Sequence, residues 1–592
     1  MNLKENIIVV KGLIKTHQIE RIEPGGEGFI VKFAHTDKEF RYGSDIVVWL
    51  RNPKEVNLDN TQIRVKGRYR KDVLSIVSFH GSDKVYYAIE YEDPLGERRD
   101  GGLTEQYSGE DVEIRRSCLK GEVAVLLEYF TLCATIRNKT IPRNEEVTKD
   151  TSESYQIINF VDVNSAAAIY MQPERQRERY HVDSLIFPFS FDSAQSKAVR
   201  NALQHQISVV HASEPNSIRD TVLNIIANLL LHNKTVLVAA ASDAVQNNIL
   251  KIVKEMGLKF LMVKIGHTVS YGTRFILSLA PVPDLSSWHR TDEEMKTEKE
   301  EVALGLKSLE SYFERQDKLT DVRTELQAID HATVTDSGTD CCNVAEASEL
   351  YKLSDELKEL EEYLSGSRKS ILKRFNFKIK RSRLQSALKS KAGITDRVSS
   401  ENIGSIITAV ERLYRFKKAK ALREEIYALK TEPESQADNG LMSLVNEKSL
   451  SILHAFLEGQ GYCSRMLWDS QEEIMANSEE FINDHPVVVS LAHLAKKYFS
   501  MNALFDYVIF PDASRISAET GILGLTCAKN AVLIGDPSKT FLEVTEEQRS
   551  SMHLVRKELN VDDKYKMEGR SLLRTVSEVI PSLPTVTLYP GL

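Results

Sequence analysis

Two places in this 592-residue sequence hold residues whose type and spacing suggest chemistry. The first is "VVHASEPNSIRDTVLNIIANLL", residues 209–230. An apolar β-run at 207–210 meets a short polar loop, and an apolar helical run at 222–231 follows. A strand–loop–helix of this kind is where backbone N–H groups and a helix dipole cradle a phosphate. The loop nevertheless lacks G-x-x-x-x-G-K-[ST]. The second place is "KRFNFKIKRSR", residues 373–383. Lys373, Arg374, Lys378, Lys380, Arg381 and Arg383 surround Phe375 and Phe377. Cations interleaved with aromatics suit a nucleic-acid backbone with base stacking. They equally suit a solvated coiled-coil arm whose acidic partner is "TDEEMKTEKEE", and both readings stay open.

The elements that must position these residues come from the composition and the apolar periodicity. The length suggests three or four domains. Hydrophobic residues are 42% and charged residues 27%, as in an ordinary soluble protein. A net charge of −8 argues against a uniformly basic nucleic-acid coat while leaving room for a local patch. No apolar run reaches the ~18 residues of a membrane span. "MNLKENIIVVKG" reads as a strand start, not a signal peptide. The six cysteines show no C-x-x-C or His/Cys spacing. A cytoplasmic chain with reduced thiols, no metal site and no membrane association is the expectation.

Residues 1–115 are β-rich, and short β-branched and aromatic runs broken by Gly, Pro, Asn and Asp predict a small barrel or sandwich. Trp49, Tyr86 and Tyr87 could stack bases; core packing is the reading adopted. Residues 116–185 read as a helical linker region beginning with an amphipathic helix, "LKGEVAVLLEYFTLCATI". Buried strands alternate with amphipathic helices in 186–290 and again in 481–592. This predicts one mostly parallel α/β domain interrupted by a helical coiled-coil arm at 291–480. Leu350, Leu353, Leu357, Leu360 and Leu364 alternate steps of three and four, forming an a/d seam. "ENIGSIITAVERLYRFKKAKALREEIYALK" could return antiparallel to it.

The serial order of "FDSAQSKAV", the loop at 212–219, "TVLVAAASDAVQNNIL", the long helical insertion, "VVVSLAH", "VIFPDAS" and "AVLIGD" resembles superfamily 1 DNA/RNA helicases of the AAA-domain type. The likeness covers roughly 186–592. It implies one RecA-like P-loop domain with a parallel sheet, interrupted by the arm and preceded by the small β-rich domain. Phe191 and Gln195 match the segment that reads the adenine edge. The Walker A positions fall on Ala212, Ser213, Glu214, Pro215, Asn216, Ser217, Ile218 and Arg219, and every one differs from G-P-P-G-T-G-K-T. Ile218 stands for the phosphate lysine and Arg219 for the magnesium-binding hydroxyl. At the Walker B positions, Pro511 replaces the magnesium aspartate and Asp512 the catalytic glutamate, one methylene shorter. Gly535 and Asp536 match the γ-phosphate sensor, with Lys539 in place of its glutamine. The sequence ends about where the family continues into its second RecA-like domain, the source of the arginine finger.

Ser217-x-x-Asp220 matches a capping box, and Asp220 suits the helix dipole. The expectation is therefore an anion site filled by the protein itself. Gln195, Ser217 and Arg219 are the remnant nucleotide-site residues, and no cofactor is expected unless the altered loop still takes ATP and magnesium. The function implied is a helicase-like, catalytically inactive protein that binds nucleic acid, DNA or RNA, or a partner. The alternative is an ATP-dependent helicase component whose second lobe comes from a partner chain.

Overall fold

The computed structural model describes the chain except residues 93–102, 141–145, 177–181, 183, 266–281, 331–343, 366–370, 432–438, 462–467, 469, 501, 540–543 and 589–592. The described residues form two units, one of 1–185, 194–289 and 453–592 and the other of 186–193 and 290–452.

The first unit is built on a seven-stranded sheet. Its strands are β1 (Ile207–His211), β2 (Val236–Ala240), β3 (Met262–Lys264), β4 (Val487–Leu491), β5 (Phe505–Phe510), β6 (Ala528–Gly535) and β7 (Thr585–Thr587). Across the sheet the order is β3-β4-β2-β5-β6-β1-β7, and every pairing is parallel. All five residues of β2 are buried. A strand buried on both faces needs a continuous apolar run, which is how these strands read in the sequence. The three-residue Thr-Val-Thr edge strand β7 carries no such run, and the sequence reading passed over it.

Residues 116–185 are part of this core and do not act as a linker. Tyr129, Phe130 and Cys133 of the helix Glu122–Thr140 share a buried cluster with Val209, Leu237 and Val508 of the sheet. The run Ala166–Met171 is wholly buried in the same cluster. Hydrogen bonds fix the segment: Tyr155 Oη donates to the Glu519 carbonyl at 2.8 Å, and Tyr565 Oη to the Met171 carbonyl at 2.9 Å. An Ala-rich helix buried all round has no polar face, so periodicity could not reveal it.

The described residues of 6–116 form four small antiparallel sheets, in the region read as one barrel or sandwich. Tight turns keep the strands short. Lys11-Gly12 (φ 52° and 77°) and Lys66-Gly67 (φ 47° and 79°) each close a two-residue hairpin, the primed geometry that matches strand twist. Trp49 is half-buried, donating Nε1–H to Asn6 Oδ1 at 3.1 Å, and Tyr86 and Tyr87 pack against the small cores, consistent with a packing role.

The second unit is helical: α3 (Asp292–Asp330), α4 (Ala347–Ser365), α5 (Ile371–Ala387), α6 (Ile403–Thr431) and α7 (Asn439–Gly459) up to residue 452, the rest of α7 belonging to the first unit. The seam is present, since Leu350, Leu353, Leu357 and Leu360 bury against Leu384, Leu388, Ile403, Ile406 and Val410; the Leu364 side chain lies outside the described residues. Tyr351 meets Tyr414, and Lys358 pairs with Glu411 at 2.7 Å, so α6 runs antiparallel to α4 as anticipated. "KRFNFKIKRSR" lies within α5. Among the described residues no helix is long and apolar enough to cross a membrane.

If the seam holds the arm together, Leu357→Ala should destabilise its helices by ~2–5 kcal/mol. Leu304→Ala, at a position 69% exposed on α3, should change stability by less than about 0.5 kcal/mol. Denaturant unfolding followed by far-ultraviolet circular dichroism measures both, and equal effects would contradict the packing.

Candidate functional site

In a parallel sheet all strands end on one edge, and ligands bind outside those carboxyl ends. Here the ends of β1, β5 and β6, with the helices α1 (Pro215–Leu231) and α2 (Asp243–Glu255), line an open cavity of about 270 Å3. Ala212, Ser213, Pro215, Ile218 and Arg219 form one wall, and Ala244, Val245, Asn248 and Ile249 of α2 form another. Pro511, Asp512, Ser514 and Arg515 follow β5, and Asp536 and Lys539 follow β6. The expected nucleotide-site positions on the loop, β5 and β6 therefore do converge.

The loop starts its helix earlier than the sequence suggested. Pro215 occupies the first helical position, where its fixed φ is pre-set and its missing N–H costs nothing. Glu214, extended at φ −88° and ψ 121°, is the N-cap, and its carboxylate accepts the Ser217 backbone N–H. The proposed Ser217–Asp220 capping box is therefore incorrect: Ser217 is the third helical residue, and Asp220 lies in the second turn. That hydrogen bond from Ser217 holds the Glu214 carboxyl below the usual range, overcoming the effect of its partial burial. A carboxylate of the chain thus satisfies a backbone donor of the first helical turn.

The other residues expected at a nucleotide site are also engaged. Arg219 turns along its own helix, with Nε and Nη2 both 2.8 Å from Asp220 Oδ1 and Nη1 3.0 Å from Asn216 Oδ1. Gln195, buried, donates its amide to the Ser217 carbonyl and the Thr221 hydroxyl, both at 3.1 Å. Phe191 belongs to the second unit, where it stacks on Phe187 at 4.1 Å and meets Phe313 edge-on at 5.6 Å.

Asp512 and Asp536 share a local design. Each opens a D-x-S-[RK] tetrapeptide, "DASR" at 512–515 and "DPSK" at 536–539. Ser514 Oγ donates to Asp512 Oδ1 at 2.9 Å, and Arg515 Nε lies 3.3 Å from Oδ2. Ser538 donates both its N–H (2.9 Å) and its hydroxyl (2.6 Å) to Asp536 Oδ1, and Lys539 Nζ lies 3.3 Å from Oδ2. The Ser538 bonds are the main cause of a depressed Asp536 pKa. Ser514 Oγ also accepts the Asp536 N–H at 3.2 Å, tying the two strand ends together. Gly535 leaves room for this contact, since a Cβ there would lie 2.9 Å from Ser514 N. Sequence reasoning missed Ser514 and Arg515, although the repeated tetrapeptide was readable.

Exposed pairs such as Asp536–Lys539 contribute only ~0–1 kcal/mol and would not alone keep an anion out. The tethered Glu214 already accepts the Ser217 N–H of the first turn, and the loop has neither glycines nor a lysine at 218. Among the described residues no cluster of three or more His, Cys, Asp or Glu could hold a metal ion.

In the arm, Lys380 Nζ lies 2.5 Å from Glu359, Arg383 lies 3.7 Å from Glu356, and Arg381 donates to the Val398 carbonyl. These three cations are turned to neighbouring groups of the arm. The side chains of Lys373, Arg374, Phe375, Phe377 and Lys378 lie outside the described residues.

Replacing Glu214 with Ala should cost ~0.5–2 kcal/mol at neutral pH, as for other lost N-caps. Because the folded pKa is depressed, that contribution is present above the ordinary carboxylate value of about 4.3 and is lost as the pH falls through the lower folded value. The stability difference between wild type and Glu214→Ala should therefore shrink in acid. A difference independent of pH would contradict the capping role.

No family model matches this chain, and no curated protein matches it.

Proposed function

We propose that the chain is a helicase-like, catalytically inactive protein with one RecA-like lobe, acting through binding to nucleic acid or to a partner. The observation that carries the reading is the Glu214 carboxylate on the N-terminal turn of α1, at the position where a P-loop fold holds phosphate. The parallel sheet supports the fold assignment: the strands bearing the Walker A and Walker B positions, β1 and β5, are separated only by β6. Their loops open into one cavity, about 270 Å3, just under the ~300–1,000 Å3 usual for ligand pockets.

Loss of one preorganised electrostatic group costs ~10²–10³ in rate. Here Ile218 offers no charge to a phosphate, Pro511 cannot bind magnesium, and Asp512 is hydrogen-bonded to Ser514 and faces Arg515. The losses do not simply multiply, yet their joint effect removes turnover. The second reading, an ATPase completed by a partner lobe, would need Asp512 and Asp536 released from these local partners.

The purified chain should show magnesium-dependent ATP hydrolysis at background, with or without single-stranded DNA or RNA. Ile218→Lys alone should not restore it, because the new lysine would face Glu214 and Asp220 where a phosphate should be. Hydrolysis that disappears on Asp512→Ala would overturn the reading, since the activity would then belong to this site.

A further inference from the structure

We infer that a second cavity of the first unit is a binding site for a small zwitterion of the amino-acid or short-peptide class. The cavity is open and measures about 660 Å3, inside the ~300–1,000 Å3 usual for ligand pockets. Three segments line it: the start of the helix Glu122–Thr140, residues 171–174 and residues 559–565. All three belong to the first unit. The cavity shares no lining residue with the one at the carboxyl edge of the sheet, so the inference does not rest on the helicase-like reading.

The cavity has an apolar floor and a charged rim. Val123, Leu126, Met171, Val561 and Tyr565 are buried and offer an aliphatic and aromatic surface. Around them stand Lys120, Glu122, Glu174, Asp562 and Lys564, all exposed. Lys120 and Glu122 are two residues apart, as are Asp562 and Lys564, yet among the described residues none of the five forms an ion pair. Lys564 Nζ lies instead 5.1 Å from the centre of the Tyr565 ring, and Asp562 Oδ1 accepts the Lys564 backbone N–H at 3.0 Å. At the carboxyl edge, by contrast, Arg219, Asp512 and Asp536 each find their complement within three residues.

The acceptors show where an ammonium group would go. Gln172 lines the cavity, and its Oε1 is buried with no hydrogen-bond donor. Leaving such an acceptor unmade costs the free chain stability that a ligand donor recovers. Tyr565 gives its proton to the Met171 carbonyl at 2.9 Å, so its oxygen lone pairs remain to accept. Burial first, then Glu174, Asp562 and Glu122, push the pKa of that hydroxyl up, which places the three carboxylates within reach of it. An ammonium, with three donors and one positive charge, matches these groups. The carboxylate of the same ligand then falls to Lys120 or Lys564, and its apolar side chain to the floor.

The experiment is calorimetric titration of the full chain with L-leucine, L-phenylalanine and the dipeptide leucyl-phenylalanine, each also as its N-acetyl and its C-terminal amide form. At least one zwitterion should give saturable heat, and losing either of its charges should weaken binding about tenfold or more. Glu174→Gln should weaken the zwitterion more than its N-acetyl form, and Lys120→Gln should weaken it more than its amide. Gln172→Leu should also weaken binding about tenfold, while the melting temperature of the free chain holds or rises, because the acceptor removed has no partner there. No saturable heat from any of the three zwitterions up to ~10 mM would overturn the site. Binding that Glu174→Gln, Lys120→Gln and Gln172→Leu all leave unchanged would overturn it as well, since the ligand would then lie elsewhere.

Discussion

A carboxylate and a phosphate compete for the same N-terminal helical turn, and in this chain the carboxylate is covalently attached to it. Glu214 precedes Pro215 and accepts the Ser217 N–H, so no ligand need be bound for that donor to be satisfied. Much of the cavity's surroundings follow the same pattern. Arg219 is drawn to Asp220, Asp512 to Ser514 and Arg515, and Asp536 to Ser538 and Lys539. Each charged group finds its complement within three residues of itself. A site built for a highly charged ligand leaves such groups converging on a vacant point; this one pairs them locally.

The scaffold beneath is independent of that chemistry. The parallel strands are stabilised by burial on both faces, with the helices of 122–171 packed into the same core. The hydrogen bond from Asp536 N to Ser514 Oγ and the close approach at Gly535 fix the β5 and β6 ends against each other. Nothing in this packing requires a nucleotide. The packing of the sheet thus does not depend on the local pairings at its carboxyl edge.

What the sequence disclosed follows from which signals are local. The continuous apolar runs of β2, β4, β5 and β6 and the leucine seam of α4 were legible, because burial on both strand faces, or along one helix stripe, leaves a periodic trace. The start of α1 was misread. Ser217-x-x-Asp220 has the pattern of a capping box, whereas glutamate is a poor statistical N-cap, so Pro215 at the first helical position was passed over. The wholly buried Ala166–Met171 and the three-residue β7 have no pattern to detect. The basic cluster at 373–383 drew attention by density alone.

The most direct test of the closed anion site is a calorimetric titration of magnesium-ATP into the chain at low ionic strength. The account predicts no saturable heat at concentrations up to ~1 mM, corresponding to binding weaker than about −4 kcal/mol. A saturable isotherm with a micromolar dissociation constant, lost on Arg219→Ala, would contradict it. That result would mean that Glu214 yields its helical donors to a phosphate.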